Sequence, residues 1–425
     1  MKPLSRRSFL RGSLTALGAG GAGLAAGTGA ASGDAQGATA PRSLQEQARE
    51  IGLRELNVRL PFDGVHQSGV LTPKQNQASV IALDCIAPDR VGLFEALQAI
   101  TTEARLLTQG EPVGVTEIGE PPPDSGILGS YNTPDSLSVT VGFGASLFDG
   151  RFGLAAKRPA GLTAMTPFPH DELDPGITGG DIILQICANQ PDTVAHTVRE
   201  LMSAVAGRLA IRWKLDGFQL SFRGPHPHSS RRNLFAFRDG TGNPDPNDTD
   251  LMNRLIWVDQ RSASPSWTAG GTYMVVRRIR MFVEFWDRVG MLEQEQMIGR
   301  DRVTGAPLGG THEFENPDYA QDPHGHRIPL NAHIRLANNR TPEQKAERIY
   351  RRGYSYDLGA DASGNLDQGL MFIAFNRDTR SQYERIQRRL ESEPMIDYIK
   401  PVGGGYFFVP RAPSGPADWI GSGLA

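Results

Sequence analysis

From Ser79 to Phe222 the hydrophobic periodicity changes in a fixed order, and this order restricts the possible folds more than any other feature of the chain. An apolar strand (Ser79 to Ala87) leads to a helix beginning near Asp89, with Val91, Phe94, Leu97 and Ile100 on one face. Two strands follow (Ser136 to Phe143 and Asp181 to Cys187), then a helix from Asp192 carrying Val194, Val198, Leu201, Met202 and Val205. A strand at Gly217 to Phe222 closes the set. The order returns further on as a strand at Thr272 to Phe285, helix at Phe285 to Ile298, and strands at Arg351 to Leu358 and Gly369 to Phe375. A helix at Arg380 to Glu391 and a strand at Gly405 to Pro410 complete it. Each half is a split βαββαβ unit of the ferredoxin-like kind. The chain is therefore α+β, with an N-terminal domain over 41–225 and a C-terminal one over 226–425.

The two halves are not equal. Residues 299–347 form a long connection between helix and strand in the second half, and compact domains rarely carry such a length without a use. It is rich in Gly and Pro and holds His312, His324, His326 and His333. The second half also begins with Asp239-Gly240-Thr241-Gly242-Asn243-Pro244, which can continue neither a helix nor a central strand. Asp239 is thus presented on a turn. Of nine histidines, the H-x-H pairs His226/His228 and His324/His326 lack the Cys or carboxylate ligands of a metal motif. His333 differs, because it follows Ile328-Pro329-Leu330 and leads into apolar residues, as a buried side chain at a helix start does.

Three segments together, Leu234 to Pro244, Ala332 to Asn338 and Arg351-Arg352-Gly353-Tyr354, resemble the dye-decolorising peroxidase family. Within it they resemble the Tat-exported deferrochelatase/peroxidase subgroup of iron-uptake systems. Arg351 stands eighteen residues after His333, as the family pattern has it. Ala236 and Asn339 depart from the pattern, standing where Gly and Pro are expected. The resemblance implies a dimeric α+β barrel-like fold holding one haem b, with His333 as proximal iron ligand and Asp239 and Arg351 on the distal side. It places Asp397 as the carboxylate behind His333, Arg335 on a haem propionate with Arg352 and Arg327 as weaker candidates, and Phe372 on the distal wall. The implied activity is reduction of hydrogen peroxide through a ferryl intermediate with oxidation of dyes, phenols or other bulky donors. The alternative is a deferrochelatase that binds haem and releases its iron. Electrons for a buried haem would pass through aromatic side chains such as Trp257, Trp267, Trp286 or Tyr406. A guanidinium beside a carboxylate favours its ionised form, so mildly acidic solution should suit the pair.

Ser5-Arg6-Arg7-Ser8-Phe9-Leu10, followed by a Gly/Ala-rich stretch to about Ala31 and by Ala38-Thr39-Ala40, reads as a Tat signal removed near residue 40. Its loss takes four bases and one acid from a chain with 44 Lys and Arg against 47 Asp and Glu. No basic stripe is left for nucleic acid. Expected partners are hydrogen peroxide, a reducing small molecule or haem, a membrane iron-uptake system in the cell envelope or periplasm, and further copies of the chain. Cys85 and Cys187 each lie in an apolar run and read as buried free thiols.

Overall fold

The computed structural model describes residue 50, residues 52–223 and residues 229–425. The twin-arginine segment and the His226/His228 pair lie outside the described residues.

Strands β1 (Gln77–Cys85), β2 (Ser138–Gly144), β3 (Ile182–Ala188) and β4 (Leu209–Phe218) form the first half. Strands β5 (Thr272–Met281), β6 (Tyr350–Arg351), β7 (Tyr354–Ala360), β8 (Leu366–Asn376) and β9 (Ile399–Val409) form the second. In space the strands run β2-β3-β1-β4 in the first half and β9-β5-β8-β7 in the second, all antiparallel. Both orders are those of a split βαβ unit. The halves then meet edge to edge: Phe143 and Gly144 of β2 pair with Phe408 and Phe407 of β9, and Phe218 of β4 pairs with Ser355 of β7. The sheet closes on itself as a barrel through eight strands, with β6 extending the ladder of β7 along β8.

Alternation along the strands sends side chains to two cores. Ala78, Val80, Ala82, Trp213, Leu215, Met274, Val276, Tyr354, Met371, Ile373 and Phe407 fill the barrel interior. The residues between them, such as Ile81, Leu83, Val139, Val141, Ile182, Leu184, Val275 and Phe408, face outward under the helices. Both faces of β2 and β3 are buried, which is why these strands are uncharged and mostly apolar, interrupted only by Ser138, Thr140 and Gln185. Helix α1 (Arg90–Gln109) starts where Asp89 accepts a hydrogen bond from the Gly92 amide, and lays Leu93, Leu97, Ile100 and Ala104 on the sheet. Val91, expected on that face, is exposed, because the buried stripe is offset to Leu93. Helix α2 (Pro191–Ala204) buries Val194 and Leu201 beside it. Among the described residues no helix is long and apolar enough to cross a membrane.

Three expected boundaries move. The strand at Gly217 to Phe222 is Leu209–Phe218, in which Arg212, Lys214 and Asp216 occupy the outward positions. The strand from Thr272 stops at Met281, and the helix after it is two pieces, Val283–Trp286 and α3 (Met291–Ile298), broken at Gly290. The long connection carries a short helix α4 (His333–Ala337), and α5 (Tyr383–Leu390) packs over it. Cys85 and Cys187 are buried and unlinked, as their apolar surroundings suggest.

Candidate active site

Helix α4 has only five residues, too few to be stable alone, so its position depends on contacts from outside. Arg389 of α5 donates from Nε to the Leu336 carbonyl at 2.9 Å and from Nη2 to that of Ala337 at 3.2 Å, capping the helix C-terminus with a cation. On the other side Asp322 accepts from the backbone amides of His326 and Ile328, and Arg335 donates to the Ile328 and Asp322 carbonyls. Arg335 is therefore tied into the loop, its guanidinium also 3.4 Å from the Asp322 carboxylate and over the Tyr319 ring. The expectation that it serves a propionate is corrected, because its hydrogen-bonding edge is taken up in holding this loop.

His333, the first residue of α4, donates from Nδ1 to Oε2 of Glu393 at 2.6 Å. Asp397, expected in this role, is exposed at the far end of the 3₁₀ turn Pro394–Asp397. Glu393 immediately precedes that turn and caps none of its amides, so its carboxylate is turned inward and is only 3% accessible. Burial pushes the His333 pKa down, but the charge and the hydrogen bond of Glu393 outweigh it, and the net shift is upward. The same ring also feels the charges of Arg351 and Asp239. Although deeply surrounded, the side chain is 26% accessible. A side chain both enclosed and accessible lines an internal recess.

Asp239 and Arg351 are similarly accessible, at 26% and 31%. The turn that carries Asp239 is built locally. Asn233 receives the Phe235 and Phe237 amides on Oδ1, Ala236 sits at φ 66°, and the Asp239 amide donates to the Arg231 carbonyl. Glycine takes that φ freely, whereas alanine pays roughly 1–2 kcal/mol for it. Phe235 and Phe237 anchor the turn on Trp286, Phe235 stacking at 4.4 Å. Asn243, at the end of the turn, donates from Nδ2 to the Arg351 carbonyl at 2.7 Å and receives the Arg351 amide on Oδ1 at 3.1 Å. One amide side chain thereby docks the turn on β6 and brings Arg351 Nη1 within 3.2 Å of Asp239 Oδ1. Sequence reasoning missed Asn243 and Glu393; the Asn-Pro ending of the turn and the Glu-Pro step before the 3₁₀ turn are the signals that could have found them.

Phe372 is half-buried against Tyr383, two residues from Ala374, the cross-strand partner of Arg351. Arg352 points the other way: it is fully buried and donates to the carbonyls of Thr72 and Pro73. His324 and His326 lie near one another, but among the described residues no group of three or more His, Cys, Asp or Glu side chains could hold a metal ion. Among the described residues, His333 has the surroundings that suit the haem the resemblance implies. A carboxylate on Nδ1 fixes the proton there and leaves Nε2 as the nitrogen able to bind iron. An acid and a guanidinium lie within its electrostatic reach.

Comparison with known proteins identifies the family. The family models for the N-terminal and C-terminal parts of Dyp-type peroxidases match residues 67–219 and 230–414. The chain is 44% identical over 389 residues to the deferrochelatase of Escherichia coli strain K12, covering 91% of this chain and 90% of that protein. Among solved structures, the DyP-type peroxidase from Cellulomonas bogoriensis is 35% identical with a TM-score of 0.77, covering 87% of this chain and 99% of that one. Ferric DtpA from Streptomyces lividans is 33% identical with a TM-score of 0.79, covering 88% and 98%.

Proposed function

The chain belongs to the Dyp-type peroxidase family and is a haem-dependent peroxidase, and from that premise we propose that His333 binds the haem iron while Asp239 and Arg351 serve the peroxide. The observation that carries this reading is the Glu393–His333 hydrogen bond at 2.6 Å, with the Asp239–Arg351 pair near enough for its charges to act on the same ring. Bound haem supplies the iron at which peroxide is reduced. Glu393 holds the imidazole in the right tautomer and orientation. Asp239 has one carboxylate oxygen on Arg351 and the other without a hydrogen bond among the described residues. That second oxygen can take a proton from one peroxide oxygen and return it to the other. The Arg351 guanidinium stabilises the negative charge that builds on the departing oxygen. Phe372 keeps the wall beside them apolar.

His333→Ala should lose its haem, read as pyridine haemochrome; full occupancy in that variant together with loss in His326→Ala would overturn the assignment. In haem-loaded Arg351→Leu the stopped-flow reaction with peroxide should slow by roughly 10²–10³, and in Asp239→Ala by roughly 10²–10⁴. Wild-type rates in both variants would favour the second reading, release of iron from haem, which the 44% identity to a deferrochelatase supports. Measuring ferrous iron released from haem with and without peroxide separates the two.

The motif Ser5 to Leu10 supports export by the Tat route with cleavage near Ala40, a periplasmic or cell-envelope location and a place beside a membrane iron-uptake system. The division of the mature chain at residues 225/226 and self-association belong to the same proposal.

A further inference from the structure

The segment Thr72 to Asn76 belongs to the first half, yet it is fastened to a residue beside each member of the peroxide side: Arg352, the chain neighbour of Arg351, and Arg231, the backbone partner of Asp239. Arg352, next to Arg351, donates to the carbonyls of Thr72 at 2.5 Å and Pro73 at 3.2 Å, and to the side chain of Gln75. At the other end Arg231 donates to Asn76 Oδ1 at 2.8 Å, and the Arg231 carbonyl receives the Asp239 amide. Lys74 lies between these two tethers. Its ammonium stands 4.8 Å over the Tyr354 ring, one strand turn beyond Arg351 and Arg352. The side chain is exposed in area, but burial is the largest influence on it, the combination already seen at His333. The charged and titratable groups it meets are Asp239, which attracts it, Arg351 and Arg352, which repel it, Cys187, and the ring of Tyr354 beneath.

We propose that Lys74 is a positioning residue of the peroxide side, a second cation contributed by the first half that strengthens the positive field of Arg351 where the departing oxygen gathers charge. This rests on the reading of Asp239 and Arg351 given above. Two cations around one carboxylate leave the face net positive, the sign that stabilises a developing anion. Among the described residues Lys74 makes no hydrogen bond or ion pair with Asp239 and acts at longer range than Arg351, so its share is smaller. Burial, helped by the two neighbouring arginines, brings its pKa down to about 8 against the pull of Asp239. The ammonium is therefore present below about pH 8 and lost above it. An alkaline limb in peroxide turnover follows directly.

The test is kcat/KM for hydrogen peroxide across the pH range in haem-loaded wild type, Lys74→Met, Lys74→Arg and Asp239→Asn, with haem occupancy measured in each. Wild type should fall along a limb centred near pH 8. Lys74→Met should be slower below that limb by roughly three- to tenfold, well short of the 10²–10³ of a direct donor, and should lack the limb. Lys74→Arg should keep the rate and carry it into the alkaline range, since a guanidinium stays charged to above about pH 12. Should Lys74→Met fail to fold, the displaced limb of Lys74→Arg decides alone. Superposable profiles in wild type and both lysine variants would overturn the proposal, as would loss of haem from Lys74→Met with an unchanged profile. If Asp239→Asn also leaves the rate intact, the underlying assignment of the peroxide side falls; if only the lysine variants are silent, Lys74 alone does.

Discussion

The two halves of the barrel share one strand order and fill it differently. In the first half, helices of 20 and 14 residues lie along the outer face of the sheet, and their aliphatic stripes close it with Leu93, Leu97, Ile100 and Leu201. In the second, the corresponding face meets short helices of four, five and eight residues, and its groups are Arg277, Phe372, Tyr383 and His333. Arg277 is fully buried and needs Asp171, from the first half, as its counter-ion. Long helices make a sealed face whose value is stability. Short helices held by arginine caps and a 49-residue connection make a face with a recess in it. A common frame thus yields one half that holds the molecule together and one that admits a cofactor.

This contrast can be broken by experiment. The largest effect should come from Leu97→Ala, which empties a fully buried site in the sealed half. It should cost about 2–5 kcal/mol of unfolding free energy by denaturant titration, while the folded fraction keeps its full haem content. Loss of haem in proportion to stability would show that the recess depends on the sealed half as much as on its own connection. Glu393→Gln should do the reverse. It removes the acceptor charge behind His333 with little change of shape, so haem should bind roughly 10–100-fold more weakly by competition with apomyoglobin, with a denaturation midpoint close to wild type. A large fall in that midpoint would make Glu393 a structural residue. The smallest effect belongs to Asp361, in the exposed loop between β7 and β8. Its hydrogen bond to Arg280, the largest of several causes, holds its carboxyl pKa at about 2. A depressed carboxyl stabilises the fold above its ordinary value near 3.8 and loses that contribution as pH falls through about 2. Asp361→Asn should therefore be slightly less stable than wild type at neutral pH and approach it as pH falls below about 2, with solvent keeping the difference small. A difference that persists in acid would mean that the loop's shape, not its charge, is what matters.

The fold was legible because burial on both faces writes plainly into sequence. Strands β2 and β3 are short, uncharged and mostly apolar, the pattern of a strand buried on both faces. Strand β4 was misplaced because Arg212, Lys214 and Asp216 alternate with Leu209, Trp213 and Leu215, and charge at every second position looks like loop unless the period is counted. At the site, Asp239, His333 and Arg351 were singled out through a spacing shared with a family, not through physical chemistry alone, and their roles are the proposal made above. Glu393 and Asp397 flank the same short turn, and nothing local says which carboxylate faces inward; the fold decides it by putting α4 on the Glu393 side. Arg335 was taken for a propionate partner because the family resemblance places an Arg two residues after the histidine; its bonds to Asp322, thirteen residues away, are not written locally. Lys74 is separated from Asp239 by more than half of the first half's length and by a change of half, so only closure of the barrel brings them together.

That closure has a consequence in time. Within each half the ladders are long, from Gln77 to Leu83 against β3 and from Tyr273 to Arg280 against β8, but the joints between halves rest on one pair at Phe218–Ser355 and two at Phe143–Phe408 and Gly144–Phe407. Each half can zip along ladders of many pairs, whereas a joint of one or two pairs returns little for the loop it closes, and so forms last. A chain caught before that moment carries free strand edges that match those of any sister chain equally well. Crowding during folding then favours exchange of halves between molecules, and dilution favours a ring closed within one.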